Sequence, residues 1–285
     1  MTENPLGVYG LRMEGVPAAA LHSFVEVPAD SPKVEVEVVV GCSVTDAVDC
    51  DEQHVSLATR GGSRCDIRRS PPSATLTLPE EPSPHALVHP LLTTIAAAYN
   101  RWRGALTLHG GAFLGRDGVW AVLADKDTGK SSTMAGLAAR GVTVFADDLV
   151  VVLDGDVYPG PRSIDLRPDA AVRFDGSEYI GYVGQRHRHR IRLGPAPVRA
   201  PLVGVVTLAW ATDGHTDVAP LTVPERLRAL TRSEALALMG EQPAPLLFET
   251  MQVAMYRLIR PRSWDHHEQA IDRLMELSSA RSDNC

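Results

Sequence analysis

The sequence predicts an α/β fold with a mixed sheet, preceded by a smaller β-rich module at the N-terminus. Three observations support this prediction. Apolar runs of strand length occur at residues 119–123, 142–146, 149–153 and 202–210. Segments of helical periodicity separate or follow them, and the stretch before residue 80 instead alternates with the period of a strand. A mixture of segments with helical periodicity and segments with strand periodicity is typical of an α/β domain.

The N-terminal module is predicted to span residues 1–85. Three segments have strand character, namely Leu21–Val27, Val34–Val40 and Ala74–Leu78. The polar segment EEPSPH at residues 80–85 contains two prolines, so we place the boundary there and assign residues 86–285 to a second domain. This module has no recognisable catalytic cluster, which favours a role in specificity or assembly.

The second domain is predicted to begin with a helix over His89–Arg103, which Gly104 ends. Ala105–Leu108 is then predicted as a strand ending at His109. A histidine at a strand end is usually structural. If this strand and Val119–Leu123 pair as a hairpin, however, His109 lies near the stretch that follows, and a functional role becomes an equal alternative.

That stretch is LADKDTGKSS, residues 123–132, between the strand Val119–Leu123 and a helix over Ser131–Arg140. In a strand, loop and helix of this kind, backbone N–H groups point into one concavity and the helix N-terminus adds partial positive charge. Lys130 would then reach a polyphosphate, and Ser131 would bind Mg²⁺. The residues predicted to bind a nucleotide form the Gly-Lys-Ser loop: Ala124, Asp125, Lys126, Asp127, Thr128, Gly129, Lys130, Ser131 and Ser132.

Two further features bear on this loop. Only three of the 28 basic residues are lysines, and two of these, Lys126 and Lys130, lie in it. The usual pattern begins with glycine, but this loop begins with Ala124, whose Cβ would be strained if the position required a positive φ.

An aspartate pair, Asp147 and Asp148, separates the apolar runs 142–146 and 149–153. Adjacent carboxylates between buried strands are costly unless a cation or a chemical role compensates them. In enzymes with phosphate-binding loops, a carboxylate at the end of a neighbouring strand serves Mg²⁺. The alternative is an ordinary turn. Where one carboxylate binds the metal, the other is expected to be a free base with a raised pKa.

The run RHRHRIR at residues 186–192 is the one dense basic cluster. As a strand, the run would place its four arginines on one face, but the flanking glycines and prolines fit a loop equally well. A solvated surface loop is one interpretation of its role, and a clamp for an acidic or phosphorylated partner is the other. Beyond it, the sequence predicts a strand at Leu202–Trp210 and a closing helix at Glu268–Leu277. Between them it predicts an amphipathic helix at Pro224–Met239, with Leu227, Leu230 and Leu236 facing inward.

Three elements together resemble the HPr kinase/phosphorylase family and its smaller relatives in bacterial gene clusters, including those for peptide natural products. They are the His-Gly of LHGGAF, the Gly-Lys-Ser of ADKDTGKSS and the Ala-Asp-Asp of RGVTVFADDLVVV. YPGPRSIDLRPDA, at residues 158–170, resembles the smaller relatives specifically. The resemblance covers residues 89–275 and implies the core shared with phosphoenolpyruvate carboxykinase.

The resemblance implies that Lys130 binds phosphate and Asp148 is the general base towards an acceptor hydroxyl. It also implies that His109 belongs to the active site, that Ser131 binds Mg²⁺ and that Asp147 is a supporting acid. We predict Asp147 as the second Mg²⁺ ligand. Three features depart from the family: Ala124 replaces the first glycine of the loop, the glutamate metal ligand has no clear counterpart, and the Arg-Gly signature for phosphorolysis is missing.

The sequence therefore predicts a kinase that uses ATP and Mg²⁺ to phosphorylate a hydroxyl, most simply a serine of a peptide or small protein. A small-molecule hydroxyl kinase and a non-catalytic nucleotide-gated binding protein are the alternatives. The net charge of −7, without a basic footprint, argues against nucleic-acid binding. No signal-like or membrane-spanning run is present, so we expect a cytoplasmic protein that does not enter membranes and that could form homo-oligomers.

Overall fold

The computed structural model describes residues 4–41, 48–59, 62–183, 186–211 and 214–279. Its strands form a six-stranded sheet, an eight-stranded sheet, a three-stranded sheet and one two-stranded pair. The strands before residue 80 are β1 Leu6–Gly7, β2 Arg12–Glu14, β3 Val25–Glu26, β4 Lys33–Val40, β5 Asp49–Cys50, β6 His54–Thr59, β7 Ser63–Arg68 and β8 Ser73–Leu78.

The remaining strands belong to the eight-stranded and three-stranded sheets. They are β9 Leu106–Leu114, β10 Val119–Ala124, β11 Val144–Ala146, β12 Leu149–Leu153, β13 Asp156–Tyr158, β14 Ser163–Leu166, β15 Glu178–Val183, β16 Arg186–Arg192, β17 Ala200–Trp210, β18 Asp217–Pro220 and β19 Ala254–Arg260.

The α-helices are α1 Pro84–Ala86, α2 Thr93–Trp102, α3 Lys130–Ala139, α4 Pro168–Ala171, α5 Val223–Arg232, α6 Ala244–Thr250 and α7 Trp264–Ser279. Two 3₁₀ segments, Ala18–Ser23 and Ala237–Met239, and one π-type segment, Leu87–Leu92, complete the helical elements. Within the described ranges, none of these helices is long and apolar enough to cross a membrane.

The N-terminal sheet has the order β2-β4-β8-β7-β6-β5. The predicted strands Val34–Val40 and Ala74–Leu78 lie within β4 and β8, which pair in parallel. The predicted strand Leu21–Val27 is wrong for its first half, because a 3₁₀ segment begins after Pro17 and only Val25–Glu26 forms a strand. Pro17 presets a helical φ at the start of that segment, and the run of three alanines that follows favours a helical turn.

The eight-stranded sheet is mixed, so the predicted α/β class with a mixed sheet is confirmed. Strands β10, β17 and β19 run parallel to one another, and β9 and β12 are antiparallel to their neighbours. The predicted hairpin is present, because β9 and β10 pair antiparallel with Leu114 opposite Val119. The carboxyl ends of the three parallel strands lie at one edge, which is where α/β sheets usually bind ligands.

Helix α3 packs directly on β9 where the sequence has two glycines. A Cβ on Gly111 would lie 2.7 Å from the sulfur of Met134 in α3, and one on Gly110 would lie 2.8 Å from Leu123. The Gly-Gly pair therefore lets the helix and the neighbouring strand approach closely. Strand β9 also continues through His109 rather than ending there, so this predicted strand end is wrong.

One buried apolar cluster extends from the N-terminal strands to the central sheet, with Leu11, Ile67, Leu108 and Val205 among its members. A second cluster lies between the central sheet, helices α3 and α7, and β14 of the three-stranded sheet. The boundary at residue 85 stays a prediction, since a continuous core alone does not decide how the chain divides.

Two of the predicted C-terminal elements are confirmed, and the third is shorter than predicted. Leu202–Trp210 lies within β17, and Glu268–Leu277 within α7. The predicted helix Pro224–Met239 ends at Arg232, and its Leu227 is 37% exposed instead of inward. Leu236 has a φ of 54°, which is incompatible with a continuing right-handed helix.

Candidate active site

The Gly-Lys-Ser loop connects the carboxyl end of β10 to the N-terminus of α3, in the predicted order. Ala124 pairs with Leu208 of β17 and is the last residue of β10, so it does not need a positive φ. The left-handed residues of the loop are Asp127, with φ 67°, and Gly129, with φ 87°. The strain expected from the missing first glycine therefore does not arise.

Lys130 is the first residue of α3 and is 9% exposed. Burial lowers the pKa of its ammonium group, and the carboxylates of Asp148 and Asp147 oppose that change. The first N–H groups of a helix have no partner within the helix. A cation and a helix N-terminus thus act in the same place, which is the electrostatic requirement for holding a phosphate.

The acidic residues of the loop face arginines from other elements. Asp127 is paired with Arg167, and its Oδ1 atom lies 3.9 Å from a guanidinium nitrogen of Arg186. Asp125 Oδ2 lies 3.9 Å from Arg232 on α5. The outer part of the loop is therefore surrounded by positive charge.

Arg260, at the end of β19, supports the loop from behind. It is 3% exposed, and its Nη2 atom lies 3.5 Å from the carbonyl oxygens of Thr128 and Gly129 and 3.3 Å from Thr133 Oγ1. Its guanidinium lies over the Trp210 ring at 5.1 Å. A side chain on Gly129 would come within 2.6 Å of Arg260, so the loop, the arginine and the tryptophan form one packed unit.

His109 lies in β9, and Asp148 directly precedes the neighbouring strand β12 at the same level. The backbones of Gly110 and Asp148 exchange two hydrogen bonds, of 2.9 and 3.2 Å, and Leu149 pairs with His109. This pairing brings His109 Nδ1 to 3.5 Å from Asp148 Oδ1. A second histidine, His89, lies on the other side with its Nδ1 atom 3.8 Å from Asp148 Oδ2.

The two adjacent carboxyls have opposite electrostatic environments. Burial raises the pKa of Asp147 to about 6, and the charge of Asp148 adds to this, against the nearby Lys130 and Ser131. For Asp148, burial acts in the same direction, but His89, His109 and Lys130 outweigh it and hold its pKa below the usual value. The sequence predicts a raised pKa for the base, Asp148. The structure instead gives the raised pKa to Asp147, the predicted metal ligand.

Asp148 also has an unusual backbone, with φ 108°. A residue with a Cβ is strained in this region, and such strain concentrates at functional sites where the surrounding structure enforces it. The two hydrogen bonds to Gly110 supply that enforcement.

Ser131 and Asp147, the residues predicted to hold Mg²⁺, supply two of the ligands that a magnesium ion needs. Asp147 Oδ1 is enclosed and has no hydrogen-bond partner, which leaves a carboxylate oxygen available beside Ser131. Among the described residues there is no group of three histidine, cysteine or acidic side chains around a common point. Mg²⁺ usually keeps several waters and binds through one or two protein ligands together with substrate phosphates, so two ligands are compatible with it.

Two side chains at this site, His89 and Tyr9, had no signal in the sequence strong enough to predict their role. His89 lies in a helix interrupted by Pro90 and has non-helical φ and ψ of −145° and 122°. Tyr9, fully buried, comes from the N-terminal segment, and burial followed by the charge of Asp148 raises its pKa. For His89, its position before Pro90 in a helical segment was the one feature of the sequence that indicated an unusual role. The sequence around Tyr9 contains no such feature.

The basic run 186–192 is strand β16, so its reading as a loop is wrong. Arg190 is buried and forms two hydrogen bonds with Asp165, of 2.7 and 2.8 Å. This pair fixes the strand, and alternation places Arg188 and Arg186 on the same side as Arg190. Arg188 contributes to the low pKa of Asp148, so it faces the aspartate pair.

A cavity of about 210 Å³ lies beside the loop at the carboxyl end of β10. Leu123, Thr207 and Leu221 contribute to its walls, together with Arg228 and Arg232 of α5. Its position next to the loop makes it the candidate site for the remainder of a nucleotide.

Comparison with known proteins gives a remote structural likeness only. No protein-family model matches the sequence, and no curated protein matches it. Among solved structures, the HPr(Ser) kinase/phosphatase from Coxiella burnetii is similar over 60% of this chain and 96% of that chain, with 10% identity and a TM-score of 0.32. At that TM-score the likeness supports no functional conclusion, so a function has to be supported by the site itself.

Proposed function

We propose that this protein is a kinase that transfers the γ-phosphoryl group of ATP, with Mg²⁺, to a hydroxyl group, most simply a serine of a peptide or small protein. One observation carries the proposal. Asp148, a carboxylate kept ionised by Lys130 and two histidines, lies beside a buried lysine at a helix N-terminus. A phosphate-binding cation and an ionised base in one place are the requirements of hydroxyl phosphorylation.

The residues divide the work as follows. Lys130 and the first N–H groups of α3 hold the β- and γ-phosphates, and Arg260 fixes the loop backbone that presents them. Mg²⁺, held by Ser131 and Asp147, would neutralise phosphate charge. Asp148 accepts the acceptor's proton as the new O–P bond forms and the bond from the γ-phosphorus to the bridging oxygen breaks, which releases ADP.

The low pKa of Asp148 is compatible with this role. A base of low pKa is weak, but it is fully ionised at neutral pH, and an alcohol becomes much more acidic as its oxygen bonds to phosphorus. His109 and His89 flank the carboxylate and restrict its orientation, with nearest distances of 3.5 and 3.8 Å. The acceptor hydroxyl would approach from the side of β16, where Arg188 faces the pair.

The test is to incubate the protein with γ-labelled ATP, Mg²⁺ and two sets of acceptors, serine-containing peptides and small hydroxyl compounds. Label in peptide supports the proposal, and label only in small compounds replaces it with a small-molecule kinase. Nucleotide binding without transfer to any acceptor contradicts a kinase and supports a nucleotide-gated binding protein.

A further inference from the structure

A second and larger cavity, of about 530 Å³, lies beside the C-terminal half of α3. None of the residues that line it belongs to the Gly-Lys-Ser loop or to the aspartate pair. Its apolar walls come from Ala138, Val142, Phe174 and Leu193, and its volume lies in the range of small-molecule sites. It is therefore separate from the candidate active site.

Arg162 lines this cavity and is 8% exposed. Its Nε atom donates to the carbonyl oxygen of Gly194 at 2.7 Å, and Nη1 donates to that of Phe145 at 3.4 Å. Both partners are neutral. Among the described residues, Arg162 forms no ion pair, and the lowering of its pKa to about 10 is caused by burial alone.

An arginine stays protonated at neutral pH, so Arg162 is a buried cation without an anion. Buried charges are normally paired, because removal from water is costly. The C-terminal carbonyls of α3 could have offered partial negative charge, but those of Ala138 and Leu137 already accept from Gly141 and Val142. These carbonyl groups are therefore not free to compensate the charge of Arg162.

The other charged residues at the cavity leave it positive. Arg173 lies over the ring of Trp264 at 5.4 Å and has no carboxylate within ion-pair distance among the described residues. Arg192 is paired with Glu178 at 3.5 Å. Asp175 is the one acidic residue of the lining.

We infer that this cavity binds a small amphipathic anion, in which a carboxylate, sulfonate or phosphate pairs with Arg162 and an apolar body lies against Phe174 and Leu193. The ligand would supply the missing counter-charge, and the alanine side chains of α3 leave room for its body. Arg162 also contacts the carbonyl of Phe145, two residues before Asp147. The site is therefore next to the strand that carries the aspartate pair, but binding does not depend on the proposed function.

The test uses two dyes with the same ring system, anilinonaphthalene sulfonate as the amphipathic anion and the neutral N-phenylnaphthylamine. Binding to the whole chain is followed by fluorescence titration, with and without saturating ATP and Mg²⁺. The inference predicts one site per chain, binding of the neutral dye at least about tenfold weaker, and no displacement by ATP. Equal affinity for both dyes, or displacement by ATP, overturns it.

Variants locate the site. Arg162→Gln should weaken binding of the sulfonate about tenfold or more, whereas Arg273→Gln, which removes an exposed arginine of α7, should leave it unchanged. If Arg162→Gln does not fold, Arg173→Gln and Ala139→Trp test the site instead, since both positions line the cavity and are exposed. Both substitutions should weaken binding of the sulfonate. Wild-type affinity in both of these variants, or in a folded Arg162→Gln protein, would overturn the inference.

Discussion

His109 Nδ1 lies 3.5 Å from Asp148 Oδ1, where the bend before β12 is hydrogen-bonded to the backbone of β9. His109 is expected to orient the carboxylate without contacting the nucleotide. Burial, followed by the charge of Lys130, lowers the pKa of His109, and the charge of Asp148 opposes this change. We predict that His109→Gln reduces transfer by roughly 10- to 100-fold, as for residues that position a functional group.

Nucleotide affinity should change no more than a few-fold in His109→Gln, when it is measured by calorimetry. His22→Asn is the matched control, since His22 is exposed and lies in the N-terminal module. Loss of nucleotide affinity in His109→Gln, with normal turnover at saturation, would place the histidine on the nucleotide instead.

The φ of 108° at Asp148 predicts an unusual order of stabilities. Asp148→Gly and Asp148→Ala both remove the carboxylate, but only alanine keeps a Cβ in the strained conformation. The glycine variant should be more stable to thermal unfolding by roughly 1–2 kcal/mol.

The same pair of substitutions at Asp272, within helix α7, should give the opposite order, with alanine more stable by about 1 kcal/mol. Equal stability of Asp148→Gly and Asp148→Ala would show that the backbone is not strained in solution.

Gly129 and Gly141 flank α3 and both have a positive φ, of 87° and 79°. They differ in the space around them, because a Cβ on Gly129 would meet Arg260 at 2.6 Å, whereas Gly141 has no atom within 4 Å. Gly129→Ala should therefore displace the loop and weaken nucleotide binding by more than about tenfold, a loss of about 1.4 kcal/mol.

Gly141→Ala should cost only stability, about 1 kcal/mol, with normal nucleotide binding. Equal effects of the two substitutions on nucleotide affinity would mean that the contact between the loop and Arg260 does not shape the binding site.

His267 predicts a dependence of stability on pH. Burial, followed by the charge of Arg260, lowers its pKa from 6.5 to about 4. Between these values the unfolded chain binds a proton that the folded protein does not, so stability falls as the pH falls through this window, by roughly 3 kcal/mol in all. His267→Asn keeps an acceptor for Arg260 and should show a flatter dependence between pH 6.5 and 4.

Chemical denaturation at several pH values measures this difference, with His22→Asn as the control of unchanged slope. Identical slopes in the wild type and His267→Asn would contradict the buried neutral state of His267.

The local parts of the site could be predicted from the sequence because each is encoded in a short stretch. The loop before α3 and the pair Asp147 and Asp148 follow from apolar runs interrupted by characteristic residues. Arg260 could not be predicted, since it reaches the loop only through the parallel pairing of β17 and β19, 131 residues away in sequence from Gly129. His89 required knowledge of how α2 packs on β12.

The sequence also could not show which of the two aspartates, Asp147 or Asp148, has the higher pKa. Adjacency alone predicts that the pKa of one aspartate rises. Which one it is depends on the histidines from β9 and from the segment before α2, which lower the pKa of Asp148. The same limit explains β16, where the alternating arginines fit both a strand and a loop until the pair Arg190 and Asp165 decides for the strand.

The central claim is that Asp148 removes the acceptor's proton while Lys130 holds the nucleotide. The most direct measurement compares nucleotide affinity by calorimetry with phosphoryl transfer by product mass, in Lys130→Ala, Asp147→Asn and Asp148→Asn. Lys130→Ala should weaken both, and Asp147→Asn should raise the Mg²⁺ concentration required. Asp148→Asn should keep nucleotide affinity within a few-fold and lose roughly 10²–10⁴ in transfer, whereas near-normal transfer in that variant would contradict the claim.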